Sequence, residues 1–208
     1  MRRVSGHVAG LLFVLATVAL ASPPFDRTHD LYASVLERFV DEGLVDYAAL
    51  QKSPGDLDRY LDSLARVAEA ELRDWPEPDR IAFLLNLYNV QTLRLILDHY
   101  PVDSIKDIGG FFRGPWRQPV VRLFGETITL DDLEHGILRK QYREPRIHFA
   151  LVCAARGCPA LRREPYVGDR LDAQLDDQGR RFLSEPGKNR FDPAEGVLHL
   201  SPIFKWFR

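Results

Sequence analysis

Both cysteines of the chain, Cys153 and Cys158, lie at the end of one apolar run, Arg146-Ile-His-Phe-Ala-Leu-Val-Cys153, which leads into Gly157-Cys158-Pro159. A cysteine acts as a nucleophile through its thiolate, and a thiolate forms near neutral pH only beside an imidazole, a cation or a helix N-terminus. Such groups are close in sequence: His135 and His148 precede Cys153, Glu134 adjoins His135, and Arg156 lies between the cysteines. The chemistry implied is attack of Cys153 on an amide or thioester carbonyl, with an imidazole as base and a carboxylate or amide orienting it. The competing reading is packing, because cysteine is among the most buried residue types.

Residues 147–152 are apolar and partly β-branched, and Pro145 and Gly157 bound the region, which predicts a buried strand running into a turn. On a strand, the odd separation of His148 and Cys153 puts them on opposite faces. That points to His135, on the preceding helix, as the base, with Glu134 or Asn86 orienting the site. Arg156, Asn89, His148 and Cys158 are then candidates for binding substrate. Cys158 has a rival claim to be the nucleophile, since Pro159 at a first helical position would make Cys158 an N-cap. The two cysteines are also the one pair available for an intrachain bridge. So short a loop contributes less than the usual ~2 to 4 kcal/mol, which suggests redox sensitivity rather than stapling. As metal ligands, His135, His148, Cys153 and Cys158 lack C-x-x-C or H-E-x-x-H spacing, and no metal or other cofactor is expected. Nucleotide-loop and serine-hydrolase motifs are missing from the sequence.

The elements that must hold these residues are mostly helical. Leu31, Val35, Phe39 and Val40 predict a first amphipathic helix within 28–43, stopped by Gly43, and Leu57, Leu61, Leu64 and Ala68 predict a second. Trp75-Pro76-Glu77-Pro78 is a breaker. Beyond it, 79–99 is apolar around nearly its whole circumference, which predicts a central buried helix. Asn86 and Asn89 share one face of that helix and need partners there, either a neighbouring loop backbone or the reacting groups. Residues 120–124 and 127–129 flank Gly125-Glu126 as a hairpin, and Thr129 or Asp131 caps a helix carrying Glu134 and His135. A helix through Leu171, Leu175 and Phe182 follows, then a terminal hairpin of 189–191 with 197–200. The fold class is α+β: an N-terminal helical half whose buried central helix packs on a small, mostly antiparallel sheet from the C-terminal half.

Residues 1–21 read as a secretory signal peptide, with Arg2 and Arg3 before an apolar core and an Ala19-Leu20-Ala21 cleavage site. The remaining 22–208 suit a single exported domain, periplasmic or secreted. Loss of Arg2 and Arg3 with the leader takes the formal charge from −2 to −4, so no nucleic-acid partner is expected. No later segment is apolar enough to stay in a membrane. The expected partner is a small molecule or a peptide; a second, non-enzymatic reading uses the 111–116 loop and the terminal aromatics as a docking surface.

Several longer motifs carry a resemblance. They are Ala82-Phe-Leu-Leu-Asn-Leu-Tyr-Asn89, Leu130-Asp-Asp-Leu-Glu-His-Gly-Ile-Leu-Arg139, Arg146 to Cys153 with Cys158-Pro159, Leu171-Asp-Ala-Gln-Leu175, and Leu200-Ser-Pro-Ile-Phe-Lys-Trp206. Together they closely resemble the family known as domain of unknown function 547, from about Val45 onward. The resemblance implies no particular reaction. It does imply tryptophan where Leu84 stands, and a further acidic-aromatic segment and helix after Trp206, so the expectation is either a C-terminally short member or a missing C-terminal piece. The order His135 then Cys153 is similar to that of circularly permuted papain-like hydrolases.

Overall fold

The computed structural model describes residues 23–110, 113–154 and 157–206. Helix α1 (Asp30–Phe39) buries Tyr32, Val35, Leu36 and Phe39 along one stripe. Its start is held by the Asp26 carboxylate, which accepts from the backbone N–H of Thr28 and of Asp30, each at 2.9 Å. The helix ends earlier than Gly43 suggested. Strand β1 (Val40–Asp41) pairs antiparallel with β2 (Leu44–Val45) across a turn in which Glu42 and Gly43 both have positive φ, 46° and 82°. A Cβ on Gly43 would come within 2.6 Å of the Ala160 Cβ, so this turn is fitted against the chain that follows the cysteines.

Helices α2 (Tyr47–Lys52), α3 (Gly55–Ala65) and α4 (Glu69–Asp74) lead to the Trp75-Pro76 break, and α5 (Glu77–Leu97) begins there with Pro78 in its first turn. Residues 81–93 of α5 are all buried. Helix α5 is the centre of the fold because no face of it is polar, and each leucine it buries contributes roughly 1.5–3 kcal/mol. It packs on α2 and α3, and on elements of the C-terminal half.

Strands β3 (Pro119–Leu123) and β4 (Glu126–Thr129) form the expected hairpin, joined by Phe124 and Gly125, both at positive φ. Residues 130–141 then form one helical run, α6, capped by Thr129: its hydroxyl accepts from the Asp132 N–H at 3.0 Å, while the Asp132 carboxylate accepts from the Thr129 N–H at 3.1 Å. Asp131, the other candidate cap, instead pairs with Arg117. A single-turn helix α7 (Ile147–Ala150), helix α8 (Leu171–Leu183), the hairpin β5 (Arg190–Asp192) with β6 (Val197–His199), and α9 (Ile203–Trp206) complete the order.

The class is α+β, as read from the sequence. Among the described residues, however, the strands make three separate two-stranded antiparallel hairpins, and one of them belongs to the N-terminal half. Two local expectations are corrected. Residues 147–150 are helical rather than extended, and Cys158-Pro159 opens no helix. Their apolar character reflects depth in the core, which a short helical turn uses as well as a strand does.

Candidate active site

From Leu151 to Val167 the described chain has no helix or strand, yet much of it is buried, so its backbone polar groups need partners from elsewhere. Side-chain amides supply them. On α5, the Asn89 Nδ2 donates to Ala150 O at 3.0 Å and its Oδ1 accepts from Val152 N–H at 2.9 Å. One turn earlier, Asn86 does the same for Tyr166, donating to its O at 2.7 Å and accepting from its N–H at 2.9 Å. On α8, Gln174 bridges Pro165 O and Val167 N–H, and Gln178 donates to Ala160 O at 2.8 Å. The amides stand in for the neighbouring strand that the apolar run lacks. Both asparagines thus take the loop-backbone role.

This segment carries the cysteines. Cys153 and Cys158 are joined as a disulfide with a Cα–Cα separation of 5.9 Å, closing a loop in which Ala154 takes positive φ, 53°. Cys153 is half-buried, whereas Cys158 is buried. The C-terminal segment is tied to the loop: the Ser201 hydroxyl donates to Gly157 O at 2.9 Å, and Ser201 N–H donates to Asn189 Oδ1. Upstream, Arg146 anchors α7 to α8 through Glu144, Asp172 and Asp176, with nitrogen–oxygen distances of 2.6, 2.8 and 2.5 Å.

Helical rather than extended geometry at 147–150 removes the parity argument against His148. Its Nδ1 lies 4.0 Å from Oε1 of Glu134, a buried oxygen that no other described group hydrogen-bonds. Burial pushes the Glu134 carboxyl up to about 7 against the opposing pull of the Tyr88 hydroxyl, which hydrogen-bonds it, and of the Arg139 charge. Burial pushes His148 down to about 4, and the positive charges of Arg139 and His135 act in the same direction. Near pH 6 both members of the pair are therefore uncharged.

His135 lies near enough for its charge to act on His148. It is exposed, and its Nδ1 lies 3.1 Å from an Arg139 nitrogen. A guanidinium only donates, so Nδ1 accepts and the ring proton sits on Nε2. Burial and the Arg139 charge hold the His135 pKa below its ordinary value. The segment Asp132–Leu138 that presents Glu134 and His135 is wound as a π-helix, with Arg139 N–H bonded to Glu134 O. Such windings are rare and recur at functional sites.

These groups fall within one family match. The sequence model of a family described as "Protein of unknown function, DUF547" matches residues 72–183, more than half of the chain. The chain belongs to this family. The match spans α5, the π-wound helix and the cysteine loop, and stops at the end of α8. No curated protein and no solved structure matches the chain.

In this DUF547 domain, Glu134 and His148 are brought together, and Cys153 and Cys158 are bonded to each other. Asn86 and Asn89 bind backbone. Arg156, Phe111 and Phe112 lie outside the described residues, as does the 1–21 segment read as a leader. Sequence reading missed Tyr88, although it lies between the two asparagines in the family motif. It also missed Arg139 and the α8 glutamines, whose i, i+4 spacing repeats the logic of the asparagine pair. As for metals, the ligand atoms of Asp192, Glu195 and His199 lie within 4.8 Å of one another on the terminal hairpin. There the Asp192 carboxylate accepts from the N–H groups of Ala194 and Glu195, which makes it a turn-former. Among the described residues, no helix is long and apolar enough to cross a membrane.

Proposed function

We propose that this DUF547 domain is exported and acts as a cysteine-dependent hydrolase or transferase on an amide or thioester carbonyl. The observation that carries the reading is the facing of Glu134 and His148 at 4.0 Å, on the element directly ahead of the cysteine loop. In this reading Glu134 orients the His148 ring from the Nδ1 side, and His148 takes the role of base that the sequence reading gave to His135. Cys153 is the nucleophile because it is the less buried sulfur.

The bridged form is the resting state in this reading. A thiol reductant opens it: two reductant thiols are oxidised to a disulfide while Cys153 and Cys158 become thiols. The Cys153 proton then passes to His148 and the sulfur attacks the carbonyl carbon. The leaving amine or thiol departs with that proton, and the acyl group on Cys153 passes to water or to an acceptor amine.

The test is to reduce the purified chain, supply S-phenyl thioacetate, and look for acetylated Cys153 by peptide mass spectrometry alongside turnover. Turnover should require reduction, vanish in Cys153→Ala, and fall about 100-fold or more in His148→Gln. Unchanged turnover in Cys153→Ala ends the reading.

A second reading, a non-enzymatic interaction domain, has one observation in its favour. Phe191 and Leu198, paired across β5 and β6, are 63% and 59% exposed. It predicts that neither thiol of the reduced chain alkylates below pH 7.

A further inference from the structure

Asn86 and Asn89 face the cysteine loop, and Gln91 lies about 200° around α5 from Asn89, so it looks out on the other side of the helix. There Leu87, Gln91 and Arg94 of α5, with Asp98 just beyond its end, form one helical stripe along a groove of about 480 Å³. Its other walls are α3 and β3. Gln91 is only 7% exposed, yet no described residue hydrogen-bonds its carboxamide. Its amide atoms keep contact with the groove rather than with the core.

The rim of the groove is built of ion pairs. Arg94 bridges Asp58 and Asp98 at 2.8 and 2.5 Å, and Arg122 pairs with Asp62. Three carboxylates thus meet the guanidinium groups of Arg94 and Arg122, and the Arg66 charge also acts on Asp62, so the rim is ionic and close to balanced. All three carboxylates are about half exposed, so oxygens not engaged by arginine remain open to a ligand. Between rim and amide, Leu61, Leu87 and Val120 offer apolar surface to an aliphatic stem.

We propose that this groove binds a cationic amide, the chemistry of an amino-acid amide or a peptide N-terminus, with the ligand amide on Gln91 and its cation among Asp58, Asp62 and Asp98. A carboxamide offers one donor and one acceptor face, which matches another amide in a paired arrangement. The carboxylate oxygens left open at the rim accept from the cation. The site is separate from the cysteine loop and its test uses no activity, so it stands or falls independently of the function proposed above.

The experiment is isothermal titration of the full chain with L-argininamide, with propionamide and n-butylammonium as probes carrying only one of the two groups. Saturable millimolar or tighter binding of L-argininamide is expected, with each single-group probe at least about tenfold weaker. Gln91→Leu should weaken L-argininamide at least about tenfold while leaving the melting temperature of the unliganded chain unchanged or higher, because no internal hydrogen bond is lost. Should Gln91→Leu fail to fold, Asp62→Asn on the exposed rim should weaken L-argininamide but not propionamide. No saturable binding, or equal affinity in the variants, would mean that Gln91 meets water alone, and would overturn the proposal.

Discussion

The Glu134 carboxyl and the His148 imidazole meet at 4.0 Å as two neutral groups, because burial raises the one to about 7 and lowers the other to about 4. An ion pair would have shifted both in the opposite senses. A neutral imidazole beside a carboxyl that titrates near 7 has its base form available and an orienting group whose charge turns on within the physiological range.

The first prediction concerns Glu134. Its folded pKa is raised from 4.5 to about 7, so its contribution to stability is fully present below pH 4.5 and is lost as pH rises towards 7. The loss amounts to about 3 kcal/mol. Glu134→Gln keeps an acceptor for Tyr88 but cannot ionise. Urea denaturation should find this variant close to wild type at pH 4.5 and more stable at pH 8; a constant difference between the two pH values would contradict the assignment.

His29 predicts the opposite slope. It is buried, its Nδ1 lies 2.7 Å from the Tyr60 hydroxyl, and burial depresses its pKa from 6.5 to about 4. A depressed histidine contributes stability that is full above pH 6.5 and lost as pH falls through 4, here about 3 kcal/mol. His29→Asn suits the left-handed backbone at this position and retains a polar partner for Tyr60. The variant should hold its stability between pH 6.5 and 4 better than wild type does, measured by thermal melts across that range.

What was legible in the sequence follows from where the determinants are local. The central helix showed itself because 79–99 is apolar in every direction, and the β3–β4 hairpin because Gly125 sits where positive φ is needed. The 147–152 run misled because an apolar stretch of that length fits a strand or a buried helical turn equally well. Its partners, Asn89 on α5 and Phe182 on α8, are distant in sequence, so no local pattern reports them. The same holds for the Glu134 and His148 pair, which exists only once the π-wound turn and α7 are packed together. Asn86 and Asn89 are legible because burying an amide is costly, and the same cost accounts for the role they take.

A third prediction concerns the bridge. The loop closed by Cys153 and Cys158 is so short that little chain entropy is removed from the unfolded state, and the loop is held independently by Asn89, Gln178 and Ser201. Replacing both cysteines by serine should therefore cost no more than about 2 kcal/mol. Comparing denaturant midpoints of the double variant and the oxidised wild type checks this, and a much larger loss would make the pair a structural staple instead.

Asn89 should matter more to the loop than the disulfide does. Its carboxamide satisfies the Ala150 carbonyl and the Val152 N–H at once, inside the core and directly ahead of Cys153. Asn89→Ala leaves both backbone groups without that partner and opens a small void, for a loss of about 2–4 kcal/mol. Asn89→Asp is the sharper variant: it can still accept from Val152 N–H but cannot donate to Ala150 O when ionised, so it should destabilise the chain more at pH 8 than at pH 4. Both variants should also speed reduction of the Cys153–Cys158 bridge by a dithiol, followed by quenched alkylation, because the chain leading into Cys153 is no longer fixed. Wild-type reduction kinetics in an otherwise destabilised Asn89→Ala would separate the loop from the asparagine clamp and assign the stability loss to α5 alone.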